Sequence, residues 1–169
     1  MNTRILGIDP GSRVAGYGLV EIQGDDILHI SHGVLQIEAD RSFSERLGQL
    51  GQGLSRLLLR YQPSQVVVEK VFLGRSVDSA FKLGQARGVV LYECQRSGVP
   101  LSEYAASAVK KGVTGRGSAE KEEVRLILER LLGLSQIEWL DASDALALAW
   151  HRANCILREA RLRGLEAVR

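Results

Sequence analysis

Apolar and polar positions along the chain fall into two alternating periods. "RILGID" near the N-terminus is an apolar run of strand length, and "AGYGLVEI" and "DILHISHGVLQI" follow with the in-and-out alternation of half-exposed strands. Pro10-Gly11 and Gly24-Asp25-Asp26 supply turns between them. The chain therefore opens as a three-strand antiparallel meander. Next comes Ser42-x-x-Glu45, a capping-box signature, and then Phe43, Leu47, Leu50, Leu54, Leu57 and Tyr61 recur at spacings of three and four. That spacing predicts an amphipathic helix, ended by Pro63. "QVVVEKV" is a continuous apolar run that suits a central strand covered on both faces.

A second helix is expected from Ser76 to about Arg96, with Ala80, Gly84 and Gly88 at i, i+4 and i+8. Such small residues lower helix propensity, and the usual compensation is close approach of another backbone, either the chain's own sheet or a second subunit. "VPLSEYA" predicts a fifth strand, and "AASAVKKGVTGRGS" a basic, glycine-punctuated loop with room for a short helix. Ser118 is expected to cap a helix whose first turn carries Glu120, Glu122 and Glu123. The last helix begins near Asp141 and is expected to bury Leu146, Ala149, Ala153, Ile156 and Ala160. The order β-β-β-α-β-α-β-α-α predicts one α/β domain over residues 1–169. Its sheet would be mixed and five-stranded, three antiparallel strands followed by parallel additions, with helices on its faces. The basic tail "RLRGLEAVR" could touch DNA or fray.

Composition narrows the classes. With 169 residues, 45% of them hydrophobic and 25% charged, the chain can bury a core without disulfides. No apolar run approaches the roughly 18 to 20 residues that span a bilayer, and "MNTRILGIDPG" lacks the features of a signal peptide. A cytoplasmic protein with no membrane partner is expected. Cys94 and Cys155, without CxxC spacing or a neighbouring His, read as buried apolar residues of a reducing compartment. The net charge of +2 hides a cluster: from Lys70 to Arg116 there are eight basic residues against three acidic ones. Clustered bases permit a polyanionic partner, although a solvated helix face gives the same pattern.

Four carboxylates carry the chemistry. Asp9 and Glu69 each follow apolar residues at the C-terminal end of an expected central strand, the edge of an open α/β sheet where ligands bind. Taken singly, Asp9 fits a turn residue and Glu69 a salt bridge with Lys70 or Arg13. "WLDASDALALAW" adds Asp141 and Asp144 at i and i+3, on one face of a helix's first turn. Four oxygen donors without a Cys or His cluster describe a hard-cation site, Mg²⁺ or Mn²⁺, rather than zinc. Two such ions roughly 3.5 to 4 Å apart suit phosphodiester hydrolysis. The histidines fit less well. His29 and His32, three apart on a strand, are expected on opposite faces. His151 lies roughly 10 Å along the helix from Asp144.

"GIDPGSRVAGYGLVE", "VVVEKVF" with "SVDSAFKLGQARGVV", "VTGRGSAEKEEV" and "DASDALALAW", in that order and spacing, resemble the RuvC family of Holliday junction resolvases over about residues 4 to 157. The resemblance implies a ribonuclease-H-like fold, a homodimer, and Mg²⁺-dependent symmetrical nicking of two like-polarity strands at a four-way DNA junction. It also implies 5′-phosphate and 3′-hydroxyl ends, a T-rich cleavage preference, and work beside a branch-migration helicase complex. Carried over by position, Asp9, Glu69, Asp141 and Asp144 are the metal-binding acids. Phe72 matches an aromatic that stacks on an unpaired base, and Lys110 and Lys121 match basic residues near the scissile phosphate. Arg75, Lys82, Arg87, Lys111 and Arg116 are candidates for backbone contact, and the helix with Ala80, Gly84 and Gly88 corresponds to the dimer helix. The rival readings are a ribonuclease-H-fold enzyme acting on structured RNA and a non-catalytic junction-binding protein. An actin-like ATPase shares "GIDxG" but needs a second similar hairpin and a far longer chain.

Overall fold

In the computed structural model, which describes residues 3–11, 13–70 and 77–166, the N-terminal apolar run forms β1 (Thr3–Asp9) in the middle of a sheet. β2 (Val14–Gln23) and β3 (Asp26–Gln36) extend it antiparallel on one side. β4 (Gln65–Glu69) and β5 (Leu101–Tyr104) extend it parallel on the other, giving the order β3-β2-β1-β4-β5. This is the mixed five-stranded sheet expected from the sequence.

The pleat sorts the strand residues between two cores. Leu6, Ile8, Leu19, Val66 and Val68 pack under α1 (Phe43–Tyr61) and α2 (Val77–Arg96). Ile5, Val20, Ile22 and Val67 pack under α3 (Ala106–Thr114), α4 (Lys121–Leu132) and α5 (Leu140–Glu166). The continuous apolar run of β4 follows directly from cover on both faces. α1 starts at a complete capping box, with Ser42 Oγ accepting from the Glu45 N–H and Glu45 Oε2 accepting from the Ser42 N–H at 2.9 Å.

α5 lies unusually close to the sheet. An added Cβ at Gly7 would stand 1.9 Å from the Ala145 carbonyl oxygen, at Gly16 1.9 Å from that of Asp141, and at Gly18 2.4 Å from Leu146 Cα. Gly7 and Gly18 are opposite each other in the β1–β2 ladder. Together the three glycines form a trench in which only a bare backbone lets the helix settle.

Several local expectations change. Ser118 caps nothing: Ala119 turns into the core, and α4 begins at Lys121 with Glu120 as an N-cap that makes no side-chain cap bond. The basic loop contains a nine-residue helix, α3, which buries Val109 and Val113. On α5, burial runs out at Leu157: Ile156 is only partly buried and Ala160 is exposed. A helix of 27 residues, about 40 Å at 1.5 Å per residue, outruns the strands beneath it. His29 and His32 share one face rather than two. The ladder steps from Leu19↔Ser31 to Val20↔His29, leaving Ile30 as a bulge that reverses the phase of the alternation. Their rings then meet, with Nε2 of His29 2.8 Å from Nδ1 of His32.

Candidate active site

The site grows from strand ends. β1 and β4 run parallel in the register Ile8↔Val68, so Asp9 and Glu69 follow side by side as the chain leaves the sheet. Asp9 is also opposite Gly16 on β2, and Gly16 is where the backbone of Asp141 presses onto the sheet. The glycine trench thereby delivers the first turn of α5, with Asp141 and Asp144 on one face, to the acid at the end of β1.

The electrostatics register this crowding. Burial raises the Asp9 carboxyl from 3.8 to about 7, reinforced by Asp144, Asp141 and Glu69 and opposed by Lys121. Glu69 is shifted upward as well, first by burial and then by Asp144, with Lys121 and Lys110 opposing. Burial pulls the Lys121 ammonium down, but its hydrogen bond to Asp144 and the charges of Asp144, Asp9 and Asp141 hold it above its ordinary value. Negative charge is thus gathered beyond what the neighbouring lysines neutralise. Among the described residues no three His, Cys, Asp or Glu side chains are gathered closely enough to hold an ion as they stand. The chemistry of the set nevertheless fits a hard divalent cation: the four donors are carboxylates, and the ammonium of Lys121 supplies a cation in their midst.

Beside the acids lies a cleft of about 190 Å³ lined by Glu69, Asp144, Lys110 and Lys121, with an apolar wall of Val109, Val124, Ala147 and Leu148. Larger hollows, such as the one of about 660 Å³ between α1 and α2, lie away from these carboxylates. Size is therefore a poor guide to this site; the convergence of charge is a better one.

The other basic candidates separate by what they touch. Lys111 is exposed. Lys82 is exposed and paired with Asp78 at 2.6 Å, and Arg116 grips Glu123 through contacts of 2.6 and 2.8 Å, so a phosphate would have to compete for either. Arg87 differs from what the sequence suggests for a backbone contact. Its side chain is only 13% exposed, and its guanidinium donates to the Glu69 carbonyl at 2.7 Å and to the Glu103 carboxylate. Phe72 and Arg75 lie outside the described residues. The small-residue stripe of α2 faces away from the chain's own sheet. Gly84 and Gly88 are exposed, with open space where a Cβ would be, and Phe81 (68% exposed) and Tyr92 (64%) stand on the same side of the helix.

His151 is buried against the Tyr104 ring, with Cys155 Sγ 3.7 Å from its Nε2, so it belongs to the packing. Cys94 is buried as expected, whereas Cys155 is only partly so. Missing from the sequence reading are Arg87's grip on Glu69 and the trench of Gly7, Gly16 and Gly18. Glycines inside otherwise apolar strands were a usable signal for the trench, since they mark close backbone approach.

Comparison with known proteins agrees with this fold. Residues 5–151 match the family described as crossover junction endodeoxyribonuclease RuvC. The crossover junction endodeoxyribonuclease RuvC of Bdellovibrio bacteriovorus is 50% identical over 153 residues, covering 90% of this chain and 91% of the relative. That of Geobacter sulfurreducens is 44% identical over 162 residues, covering 96% and 99%. The structure of T. thermophilus RuvC in complex with Holliday junction substrate superposes with a TM-score of 0.86 at 31% identity, covering 93% of this chain and 96% of that one. On that family match and on relatives so similar over most of its length, the chain belongs to the RuvC family of crossover junction endodeoxyribonucleases.

Proposed function

We propose that this chain resolves four-way (Holliday) DNA junctions in recombination and repair, nicking two strands of like polarity symmetrically and leaving 5′-phosphate and 3′-hydroxyl ends. The observation that carries the reading is the meeting of Asp9, Glu69, Asp141 and Asp144 with Lys110 and Lys121 at one end of the sheet. It occurs in a chain similar over nearly its whole length to a RuvC whose structure holds a junction substrate.

The four acids would hold Mg²⁺, two ions per site, with Mn²⁺ as a substitute, because all their donors are oxygen. Such ions, when bound, supply water activation and relief of charge on the phosphate. The chain's own residues do the rest. β1 and β4 are rigid mounts for Asp9 and Glu69. Lys121 is a cation hydrogen-bonded to Asp144 with further protons to offer a phosphate oxygen, and Lys110 lines the same cleft. Phe72 would stack on an unpaired base at the exchange point.

Two copies would pair through the outer face of α2, bringing two sites into the two-fold symmetry of an open junction. Gly84→Arg tests this. The monomer has room for the new side chain, so the folded circular-dichroism spectrum and a cooperative melt should persist, with the midpoint lowered only by the lost partner, while sedimentation shows dissociation and paired nicking is lost. A variant that stays dimeric places the interface elsewhere. We further assign the enzyme to the cytoplasm, beside a branch-migration helicase complex. Among the described residues no helix is long and apolar enough to cross a membrane.

The activity is tested by incubating the protein with a mobile four-way junction, a linear duplex and an RNA hairpin, each with Mg²⁺ or with chelator. Paired nicks confined to the junction and dependent on Mg²⁺ are expected. Equal cutting of duplex, or cutting of RNA alone, overturns the reading, and binding without cutting would mark a non-catalytic junction protein.

A further inference from the structure

α2 has a face turned to the sheet, through Ala86, Val90 and Cys94, and an outward face with Gly84 and Gly88. Arg87 sits on the flank between them, and its side chain reaches the functional end of the sheet. One arm donates to the backbone carbonyl of Glu69 at 2.7 Å; the other meets the carboxylate of Glu103 on β5. β4 and β5 are neighbours in the register Val68↔Glu103 and Glu69↔Tyr104, so a single guanidinium bridges the C-terminal ends of two adjacent strands.

The pleat makes this grip specific to Glu69. Val68 packs toward α1 and α2, and Val67 toward α5, so the next side chain, Glu69, again projects to the α5 side, where Asp144 and Lys110 influence it. Arg87 comes from the opposite layer and holds the residue by its main chain. The β1–β4 ladder ends at Ile8↔Val68, so Glu69 is steadied by strand pairing only on its β5 side, where the Lys70 N–H donates to the Tyr104 carbonyl at 2.8 Å; the Glu69 carbonyl is held by Arg87. We infer that Arg87 is a positioning residue: it sets the backbone at Glu69, and so aims the carboxylate, and it ties that aim to α2. The inference rests on the reading of Glu69 as a metal-binding acid.

The fork geometry matters. A guanidinium can satisfy a carbonyl and a carboxylate together with fixed angles, whereas the single ammonium of a lysine cannot reproduce both. Because α2 is also the helix of the proposed subunit interface, movement of that helix would be felt at Glu69 through one side chain.

The test compares Arg87→Gln, Arg87→Lys and Glu103→Gln with the wild type in three measurements. These are junction affinity in chelator, Mn²⁺ binding to the DNA-free protein by calorimetry, and single-turnover cleavage against Mg²⁺ concentration. For both Arg87 variants we expect unchanged junction affinity, Mn²⁺ binding weakened by about 10-fold, and a Mg²⁺ midpoint raised by a similar factor, the scale typical of residues that support a metal ligand. Glu103→Gln, which keeps the bond to the Glu69 carbonyl, should shift the metal midpoint far less while lowering the thermal midpoint comparably. Loss of junction affinity with unchanged Mn²⁺ binding would make Arg87 a DNA contact and overturn the inference. Equal metal midpoints in all three variants and the wild type would reduce it to a structural ion pair and overturn it too. If the wild type binds Mn²⁺ but cuts no junction, the proposed function fails while the calorimetry still decides the role of Arg87.

Discussion

Asp9→Asn is expected to abolish junction cleavage, leave junction binding largely intact, and make the metal-free protein more stable at pH 8 than the wild type. The first two effects separate because affinity for DNA rests on basic residues whereas cutting rests on the acids. The third follows from the shifted carboxyl. In the folded chain Asp9 protonates near 7, against an ordinary value of 3.8, because it is buried and faces Asp144, Asp141 and Glu69. Between those values the folded state binds more protons than the unfolded state, so wild-type stability is fully present below the lower one. It is lost as pH rises through the upper one. Asn is neutral at every pH and escapes that loss, which is on the order of 2 to 4 kcal/mol above pH 7. Thermal unfolding in chelator from pH 4 to 8 measures it: the two proteins should converge near pH 4, separate steadily as pH rises toward 7, and keep a constant gap above it. Added Mg²⁺ should then favour the wild type, since a ligand of the folded state raises its stability. A variant that still nicks at the wild-type rate would remove Asp9 from the mechanism.

Gly16→Ala should damage the site without touching any acid. Its new Cβ would stand 1.9 Å from the carbonyl oxygen and 2.2 Å from the carbonyl carbon of Asp141, and 2.8 Å from the Ala142 nitrogen. These are backbone atoms of a helix, so no side chain can swing away, and the start of α5 must lift from β2. Overpacking of this kind costs about 1 to 3 kcal/mol. Displacing Asp141 and Asp144 by about 1 Å relative to Asp9 is expected to lower cleavage by on the order of 10²-fold. Gly48→Ala is the matched control: it lies on the exposed face of α1 with open space around it, and should gain up to about 1 kcal/mol from helix propensity while cutting normally. Thermal melts and single-turnover cleavage of both variants check the pair. A Gly16→Ala protein with wild-type stability and cleavage would mean that α5 is not seated in the trench.

Much of this architecture was legible because the relevant signals are local. The capping box at Ser42 and Glu45, the three-and-four spacing of α1, and the apolar run of β4 each report a short-range preference that packing did not override. The places where reading failed have a common physical cause. Ser118 looked like a cap, but burial of Ala119 delayed the helix to Lys121. Alternation put His29 and His32 on opposite faces, but a bulge at Ile30, imposed by pairing with β2, reversed the phase. Arg87 looked like one more surface base in a basic stretch, because nothing near it in the sequence indicates that β4 and β5 end beneath it.

The four acids show the same division. That Asp9 and Glu69 end strands, and that Asp141 and Asp144 share a helical face, follows from periods of two and 3.6 residues, which are properties of a backbone and need no partner. That they meet does not. It depends on the parallel register Ile8↔Val68, on Gly16 opposite Asp9, and on a trench deep enough for α5 to press its backbone against β2. The first joins positions 60 residues apart and the last brings β2 to a helix more than 100 residues further on, both set by which faces exclude water together and by where a missing Cβ lets two backbones touch. Local periodicity names the groups able to do the chemistry; long-range packing brings them to one end of the sheet and supplies the burial and the neighbouring charges that raise Asp9 to about 7.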